Sequence, residues 1–350
     1  MDGKEISIGI IGLGYMGVHH LKILNAMIKD GFLKNARLSM VCDVDKSQVE
    51  LISQKYSIPS AVNPHHVLDD PSVNTIFIAS PTKYHKEQAL HAIQKGMAVY
   101  CEKPLTLTDS DSLELTDKVR SSGVQNQVGL VLRHSPSCDF IKRMIDSKEL
   151  GDLLYVNYRH DASVPIDGVY RGDWKLDRKV SGGGILKEAC VHDLDLIKHL
   201  FGNYVPKDVD VTEIRDIDTF VSASFMLDGG QKVSFNTLWH NNIGRGTSRR
   251  IEVFCDKGYI FADDFMFDGQ ITYKKAGQDP IIMDRKALFD RYIQNKGIDP
   301  KIKTYRMSYS SLADHAFISC VQEDKPCSPG FDAACEADSM CDKIYSSKRK

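Results

Sequence analysis

Residues 6–17 read ISIGIIGLGYMG, an apolar run that leads directly into three closely spaced glycines. The glycines Gly12, Gly14 and Gly17 have the spacing G-x-G-x-x-G, and apolar residues in Val18–Ile28 recur with a helical period. A strand, a glycine turn and a helix in this order are typical of a site for a dinucleotide pyrophosphate. The first glycine permits the tight turn, the second lets phosphates approach the backbone, and the third allows the helix to pack closely.

An acid, Asp43, follows the second apolar run, Leu38–Cys42. A carboxylate at the end of this strand can accept hydrogen bonds from ribose hydroxyls and would repel a 2′-phosphate. No arginine directly follows Asp43, so the sequence favours NAD over NADP as the cofactor. The distance from the glycines exceeds the usual ~20 residues, which a longer loop over residues 29–36 explains. Acids are common at strand ends, so this interpretation depends on the glycine turn.

Strand-like and helix-like segments continue to alternate through the first half of the chain. Strands are predicted over Thr75–Ala79, Ala98–Cys101 and Gln127–Leu132, and helices over Ser47–Tyr56, His85–Lys95 and Ser110–Ser121. Ser47, with Glu50 three residues later, is the predicted N-terminal cap of the first of these helices. Short apolar strands that alternate with helices predict a parallel sheet covered on both faces.

After about residue 150 the pattern changes to consecutive strands. Strands are predicted over Leu153–His160, Thr219–Leu227, Lys232–His240, Arg250–Cys255 and Tyr259–Ala262, and helices over Gly184–Phe201, Ser310–Gln322 and Ala333–Ser347. The turns Asp228–Gly230 and Asp256–Gly258 are typical of hairpins, so we expect an antiparallel sheet in a domain of α+β type. The predicted domains are residues 1–128, which bind the dinucleotide, and residues 129–350, whose last helices could pack back on the first domain.

The composition excludes several classes of protein. With 45 basic and 47 acidic residues in 350, the net charge is −2, which argues against a nucleic-acid-binding surface. Nine cysteines without a C-x-x-C pair argue against a zinc ribbon, and Cys42 and Cys101 in apolar segments indicate reduced thiols of a cytoplasmic protein. The first residues lack the features of a signal peptide, and no apolar run reaches the ~18 residues of a membrane span.

Two further loops follow predicted strands, where open parallel sheets bind their ligands. In the loop Ser80–His85, Ser80 and Thr82 are candidates for contacts with the cofactor, and Thr82 is equally a candidate cap for the next helix. In the loop Glu102–Pro104, Lys103 is either a surface charge or a catalytic group, and its position alone does not separate the two.

Motifs along nearly the whole chain form one combined pattern. They are Gly12–Gly17 with Met16, Ser80–His85, Glu102–Pro104, Trp174 ahead of Gly182–Gly184, Glu188-x-x-x-His192-x-x-Asp195, Leu200–Gly202 and Glu323–Pro326. This pattern resembles the Gfo/Idh/MocA oxidoreductase family of glucose–fructose oxidoreductase and inositol dehydrogenase relatives. The resemblance implies an α/β fold, with an N-terminal Rossmann domain on a doubly wound parallel sheet. It also implies a C-terminal α+β domain with a large open, mostly antiparallel sheet, through which a homodimer or homotetramer would form.

The resemblance also implies roles for individual residues. Lys103 and His192 would lie near the nicotinamide and the reacting carbon, with Glu188 standing where the family usually has aspartate. Residues four apart share a helix face, so Glu188 could orient His192, and either Lys103 or His192 could accept the proton. The implied cofactor-binding residues are Gly12, Gly14, Tyr15, Met16, Gly17, Asp43, Ser80, Thr82, His85, Glu102 and Lys103.

The implied reaction is hydride transfer between NAD and a secondary alcohol or ketone of a sugar or cyclitol such as inositol. Polar and aromatic side chains of the second domain are the candidates for substrate contacts. They are Arg133, Tyr158, Trp174 and His240, with His134, His160, Tyr170 and Arg171 as weaker ones.

Two other functions remain open at this point. One is a catalytically silent NAD-binding regulator that responds to sugars, which the presence of both Lys103 and His192 disfavours. The other is a nucleotide-sugar dehydrogenase or ketoreductase, whose diphosphate would need cations. The candidates are Arg171, Arg245, Arg249 and Arg250. We expect no metal site, because the pairs His19–His20 and His65–His66 show no acid or cysteine at ligand spacing.

Overall fold

The computed structural model describes residues 4–166, 171–241, 246–264, 269–305 and 309–348. The chain divides into two compact units. The first comprises residues 1–131, 179–182 and 301–338, and the second comprises residues 132–178, 183–300 and 339–350.

The elements of the first half alternate as the sequence predicts. They are β1 (Ile6–Ile11), α1 (Tyr15–Lys29), β2 (Ala36–Cys42), α2 (Lys46–Tyr56), β3 (Ser60–Ala61), α3 (Pro64–Leu68), β4 (Thr75–Ile78), α4 (His85–Gln94), β5 (Ala98–Cys101), α5 (Asp109–Ser122) and β6 (Asn126–Val128).

The second half carries the remaining strands and helices. They are α6 (Pro136–Asp146), β7 (Leu153–Ser163), α7 (Arg178–Ser181), α8 (Val191–Phe201), β8 (Tyr204–Ile214), β9 (Ile217–Leu227), β10 (Lys232–His240), β11 (Ser248–Cys255), β12 (Gly258–Asp263), β13 (Ile271–Lys275), β14 (Ile281–Met283), α9 (Arg285–Lys296), α10 (Tyr309–Gln322) and α11 (Phe331–Ser346).

The sheet of the first unit confirms the predicted doubly wound arrangement. Its strand order is β3-β2-β1-β4-β5-β6, and every neighbouring pair is parallel. All side chains of β1 are buried, which explains why its sequence is an unbroken apolar run rather than an alternating one. The strand order reverses between β1 and β4, and ligands of such sheets bind outside the carboxyl ends of the strands at this point.

The sheet of the second unit is the predicted open and mostly antiparallel one. Its order is β14-β13-β12-β11-β7-β10-β9-β8. Among the described strands of this sheet, only β7 and β10 form a parallel pair. Buried and half-exposed residues alternate along β10, so one face of the sheet is turned to a core. The two predicted hairpins join β9 to β10 and β11 to β12.

Two local predictions in the first unit are wrong. The cap of α2 is Asp45, whose carboxylate accepts hydrogen bonds from the backbone N–H groups of Ser47 and Gln48, so Ser47 is already inside the helix. The strand predicted over Gln127–Leu132 ends at Val128, and a 3₁₀ turn follows over Val131–His134. An apolar run of this length does not by itself separate a strand from a turn.

Eight elements were not predicted from the sequence, namely β3, α3, α6, α7, β8, β13, β14 and α9. Strand β8 lies at the edge of its sheet and exposes most of its side chains, so it lacks an alternating apolar pattern.

None of the helices in the described residues has the length and apolar character needed to cross a lipid bilayer. All nine cysteines are free thiols, and Cys42 and Cys101 are buried, as the sequence predicts.

Candidate active site

The glycine turn after β1 has three different steric requirements. Gly12 has a φ of +90°, and a Cβ there would lie 2.5 Å from the carbonyl group of Ala79. A Cβ at Gly17 would lie 1.7 Å from the carbonyl oxygen of Gly12, so the helix can approach the strand only with glycine. A Cβ at Gly14 would meet no atom within 4 Å, which leaves open space over the backbone. The turn therefore has the cradle that a pyrophosphate group requires.

Helix α1 presents its amino end at this turn. Gly14 is its N-terminal cap residue, and among the described residues no side chain caps the helix and no acid lies in its first turn. Backbone N–H groups and the positive end of the helix dipole therefore favour an anionic group here. Tyr15 in the first turn is exposed and stacks on His19, with ring centroids 6.0 Å apart, while Met16 is half-buried.

Asp43 is fixed to the same turn by its own carboxylate. One carboxylate oxygen accepts a hydrogen bond of 2.6 Å from the N–H of Leu13, and the other accepts one of 2.9 Å from the N–H of Asp45. The side chain is half-buried, and each oxygen retains a lone pair for a further donor. This arrangement fits the predicted contact with ribose hydroxyls.

The loop Ser80–His85 follows β4 and contacts the loop after β5. The hydroxyl of Ser80 donates to Gln88, and His85 is buried with its ring nitrogens 2.7 Å from the carbonyl oxygen of Ser80 and 2.9 Å from that of Pro104. Burial lowers the pKa of His85 despite these two contacts. His85 thus joins the two ligand-side loops, and its ring nitrogens are occupied by the protein itself.

Thr82 does not act as the helix cap that was one of its two predicted roles. The cap positions of the 3₁₀ turn and of α4 are Pro81 and Tyr84, and no side chain of the described residues caps either element. The side chain of Thr82 is buried, and its hydroxyl has no hydrogen-bond partner among the described residues. Buried hydroxyl groups normally have a hydrogen-bond partner. A contact with the cofactor therefore stays the prediction for Thr82.

Glu102 is buried beneath Lys103 in an ionic cluster. One of its carboxylate oxygens lies 3.0 Å from Nε2 of His20, whose Nδ1 lies 2.8 Å from a carboxylate oxygen of Asp314. The other oxygen accepts a hydrogen bond of 3.3 Å from the backbone N–H of Lys103. A Cβ at Gly129 would lie 2.8 Å from the same carboxyl group, so a larger residue there would displace the side chain of Glu102. We call Glu102, His20 and Asp314 the first cluster.

The first cluster holds a charged histidine. Burial alone would lower the pKa of His20, but Asp314 and then Glu102 raise it to about 10 through their charges and hydrogen bonds. Burial opposes ionisation of Glu102, yet the hydrogen bond and charge of His20 and the charge of Lys103 bring its pKa below the usual value. The imidazolium therefore keeps Glu102 as a carboxylate next to Lys103. Asp314 is 294 residues from His20 in the sequence, so local spacing does not reveal this pair.

In the second unit, Glu188 and His192 do not lie in one regular helix as predicted. Glu188 is in a π-helical turn over Leu186–Cys190, and His192 is the second residue of α8, which follows. The rule that residues four apart share a face applies to a regular α-helix and not across this turn. The buried Glu188 binds the ammonium group of Lys175 at 2.7 Å, and Lys175 in turn lies over the ring of Trp174 at 5.7 Å. Lys175 is a neighbour of these residues that the sequence did not reveal.

The four candidates for substrate contacts occupy different environments. The guanidinium of Arg133 makes a two-pronged contact with the carboxylate of Asp195, at 2.9 and 2.6 Å. Tyr158 is fully buried and donates to Asp193 at 2.5 Å, so its hydroxyl is bound within the core and its contact with substrate stays a prediction. His240 ends β10, and its carbonyl oxygen accepts a hydrogen bond from Val164. Trp174 is half-buried and lies beside Lys175, which binds Glu188.

Asp193 is the centre of a second buried cluster. Its carboxylate accepts from Tyr158 and from Nε of Arg249 at 2.6 Å, and it lies 2.6 Å from Nδ1 of His160. Burial would raise the pKa of Asp193, but the charge of Arg249 and the contact with His160 hold it well below the usual range. Burial and the charge of Arg249 lower the pKa of His160. We call Asp193, His160, Arg249 and Tyr158 the second cluster.

The second cluster bears on the arginines considered for a diphosphate. Arg249 is buried and bound to Asp193, Arg250 binds Asp263 at 2.9 Å, and the exposed Arg171 lies 3.7 Å from Asp173. Arg245 and Tyr170 lie outside the described residues. The buried ion pair of Arg249 with Asp193 argues against a diphosphate contact of this arginine.

Comparison with known proteins identifies the family. Residues 6–130 match the model of an oxidoreductase family with an NAD-binding Rossmann fold, GFO_IDH_MocA, and residues 139–261 match the model of the GFO/IDH/MocA C-terminal domain. The chain belongs to the GFO/IDH/MocA oxidoreductase family. This GFO/IDH/MocA protein is therefore an NAD-binding oxidoreductase, and the open space over Gly14, the uncapped end of α1 and the carboxylate of Asp43 fit that cofactor.

Individual relatives are similar over most of the chain. An uncharacterised oxidoreductase of Bacillus subtilis, YrbE, is 26% identical over 83% of this chain and 82% of its own length. Myo-inositol 2-dehydrogenase of Thermotoga maritima is 28% identical over 73% of this chain and 75% of its own length. The structure of levoglucosan dehydrogenase in complex with NADH and levoglucosan has a TM-score of 0.85 at 19% identity, covering 98% of this chain and 97% of that one.

Proposed function

We propose that this NAD-binding oxidoreductase transfers a hydride between the nicotinamide and a secondary alcohol or ketone of a sugar or cyclitol. The observation that carries the proposal is the arrangement at one edge of the first sheet. There the glycine turn after β1, Asp43 after β2, the loop Ser80–His85 after β4 and Lys103 after β5 all follow the carboxyl ends of neighbouring strands. Relatives named for inositol and levoglucosan support the substrate class.

The cofactor, when bound, accepts or donates the hydride at its nicotinamide ring. The remaining task of the protein is to hold the substrate oxygen and to move its proton, which requires a positioned acid or base. We propose that His192 accepts or donates this proton and that Lys103 holds the substrate oxygen. The reverse assignment uses the same two groups, and their separate substitution distinguishes the two.

The surroundings of Lys103 support its part in this proposal. Its backbone N–H is held by the carboxylate of Glu102, and the next residue, Pro104, is tied to the Ser80–His85 loop by His85. A loop fixed at both ends can hold an ammonium group in one place, and positioning of this kind accounts for much of enzymatic rate enhancement. In the second unit we assign Glu188 and Trp174 to the positioning of the sugar, together with Lys175.

The first experiment is a panel of cyclitols, aldoses, anhydrosugars, sugar acids and nucleotide-linked sugars with NAD and with NADP, in which the absorbance of the reduced nicotinamide is measured. We expect turnover of at least one polyol with NAD and much slower turnover with NADP. If no compound reacts while NAD binds tightly, the dehydrogenase proposal fails in favour of a silent regulator. Turnover of nucleotide-linked sugars alone would instead identify the other alternative, which the buried contact of Arg249 with Asp193 disfavours.

The second experiment uses the variants Lys103→Met and His192→Asn. General acid–base catalysis contributes roughly 10²- to 10⁴-fold, so we expect kcat to fall by that range in the variant that lacks the proton carrier. NAD binding, followed by fluorescence of the bound reduced cofactor, should persist in both variants. Near-normal turnover in both variants would refute the assignment, and a loss of NAD binding in Lys103→Met would show that Lys103 serves the cofactor instead.

A further inference from the structure

We propose that His65, Asp69 and His91 form a binding site for a divalent transition-metal ion such as Zn²⁺ on the first unit. The ligand atoms of these three side chains all lie within 4.8 Å of one another. None of the three belongs to the active site proposed above, so the inference is independent of the enzymatic function. It differs from the expectation of no metal site, which did not take into account Asp69, four residues after His65.

Two helices bring the three side chains together. Helix α3 starts after Asn63, whose side chain accepts a hydrogen bond of 3.0 Å from the backbone N–H of His65, and Asp69 is the residue at which α3 ends. Helix α4 supplies His91, whose Nε2 lies 2.9 Å from a carboxylate oxygen of Asp69. The rings of His65 and His91 have their centroids 5.1 Å apart. The cluster is therefore held by the backbone of two helices and not by a flexible loop alone.

The donor set matches the chemistry of zinc. Two imidazole nitrogens and one carboxylate oxygen are a known ligand set of zinc, which leaves a fourth position for water. Ligand atoms around a tetrahedral zinc ion are roughly 3.4 Å apart, given Zn–N distances of about 2.0–2.1 Å. Since the observed separations reach at most 4.8 Å, small side-chain rotations would bring the atoms to these positions. His65 and Asp69 are exposed and His91 is half-buried, so an ion has access from solvent.

Lys95 is the cation that a metal ion would have to replace. Its ammonium group lies 2.7 Å from the same oxygen of Asp69 that His91 contacts, and its side chain is 47% exposed. Lys95 and then His91 lower the pKa of Asp69 to about 2, so the carboxylate is ionised at neutral pH. An exposed lysine loses little when it moves into water, because surface ion pairs contribute only about 0–1 kcal/mol.

A second group of possible ligands in the described residues is different. His160, Cys190 and Asp193 lie equally close together, but all three are buried and Asp193 already binds Arg249 and Tyr158. The charge of that carboxylate is compensated by a buried guanidinium that cannot move into water. The second cluster is therefore complete without an ion, whereas the exposed one can exchange its lysine for a metal.

The test is a titration of the full chain, without a histidine tag, with Zn²⁺ by calorimetry and with Co²⁺ by visible absorption. We expect one site with tetrahedral Co²⁺ bands in the wild type, and affinity lower by at least roughly tenfold in His65→Ala and in His91→Ala. Lys95→Met should tighten binding severalfold, because it removes the competing cation. His66→Ala is the matched control, since His66 is an exposed neighbour in α3 outside the cluster, and it should bind as the wild type does.

A second measurement guards against misfolded variants. Saturating Zn²⁺ should raise the Tm of the wild type and of His66→Ala, but not that of a His65→Ala/His91→Ala double variant with an unchanged metal-free Tm. Equal Zn²⁺ affinity in the wild type and the double variant would overturn the proposal, because the ion would then bind elsewhere. A loss of affinity in His66→Ala as large as in His65→Ala would overturn it as well.

Discussion

Both buried clusters place a histidine against an aspartate, but the two histidines reach opposite charge states. In the first cluster His20 lies between two carboxylates, and they raise its pKa to about 10. In the second cluster His160 shares a single carboxylate with Arg249, and burial together with the guanidinium lowers the pKa of His160. The number of acids for each base therefore determines which histidine is charged, and burial alone does not.

The two clusters also hold different parts of the chain in place. The first cluster joins Glu102, and through it the backbone of Lys103, to helices α1 and α10. The second cluster joins strands β7 and β11 to helix α8, which carries His192. Each cluster thus contains a sequence neighbour of one of the two residues to which we assign the chemistry, Glu102 before Lys103 and Asp193 after His192.

The largest effect is expected from Arg249→Met. Removing the guanidinium leaves the carboxylate of Asp193 buried without a full counter-charge, and loss of one partner of a buried ion pair destabilises by about 3–5 kcal/mol. Arg250→Met is the matched control, because its partner Asp263 is half-exposed, and such pairs contribute about 0–1 kcal/mol. Hydrogen exchange of peptides from β7 and β11 measures both. Similar protection in the two variants would contradict the proposed importance of the second cluster.

A smaller loss is expected from His20→Gln. The variant leaves Glu102 and Asp314 without the imidazolium, but one acid can take up a proton, so we expect a destabilisation of about 2–3 kcal/mol. Hydrogen exchange of peptides from β5 and α10 measures this destabilisation, while peptides from β7 should be unaffected. If the variant is also slower in turnover, kcat should fall more than KM rises, because the Lys103 loop and not substrate affinity is disturbed. A variant as stable as the wild type would show that His20 is not charged.

The response of the wild type to pH is the smallest effect over a single pH unit, and it should have opposite signs in the two units. His20 has its pKa raised from 6.5 to about 10, so its contribution is complete below pH 6.5 and is lost as the pH rises towards 10. His160 has its pKa lowered, so stability there is present above pH 6.5 and is lost as the pH falls. Asp314 and Glu102 face His20. Asp193, Arg249 and Asp161 face His160.

Hydrogen exchange at several pH values, corrected for the intrinsic exchange rate, resolves the two responses. The β5 region should lose protection on the alkaline side and the β7 region on the acidic side, by at most about 1.4 kcal/mol per pH unit for one proton. The variant His20→Gln should abolish the alkaline loss alone. Parallel responses of both regions would mean that the two histidines do not differ in charge.

Features with a local period were predicted correctly from the sequence. Strand β1, the glycine turn and helix α1 follow from apolar spacing and from three glycines. The hairpins of the second sheet follow from their turn residues. Each of these depends on residues within a few positions of one another, and over such distances backbone geometry and side-chain alternation are sufficient to predict structure.

Features that join distant segments were missed. The sequence contains no sign that His20 meets Asp314, 294 residues later, or that Arg249 meets Asp193, 56 residues earlier. The π-helical turn that separates Glu188 from α8 was also missed, because its sequence has the apolar period of an ordinary helix. The hydrogen bond of Tyr158 to Asp193, 35 residues later, was missed as well, since a tyrosine in a strand is equally suited to a core and to a cleft.

The sequence by itself therefore determined the sheet of the first unit, the cofactor turn and the chemical groups available for hydride transfer. Only the tertiary structure decided which acid meets which base, and hence which histidine carries a proton. The physical reason is that a side chain's type and spacing define the face on which it lies. Its charge state depends on burial and on the partners that the folded chain brings within about 3 Å.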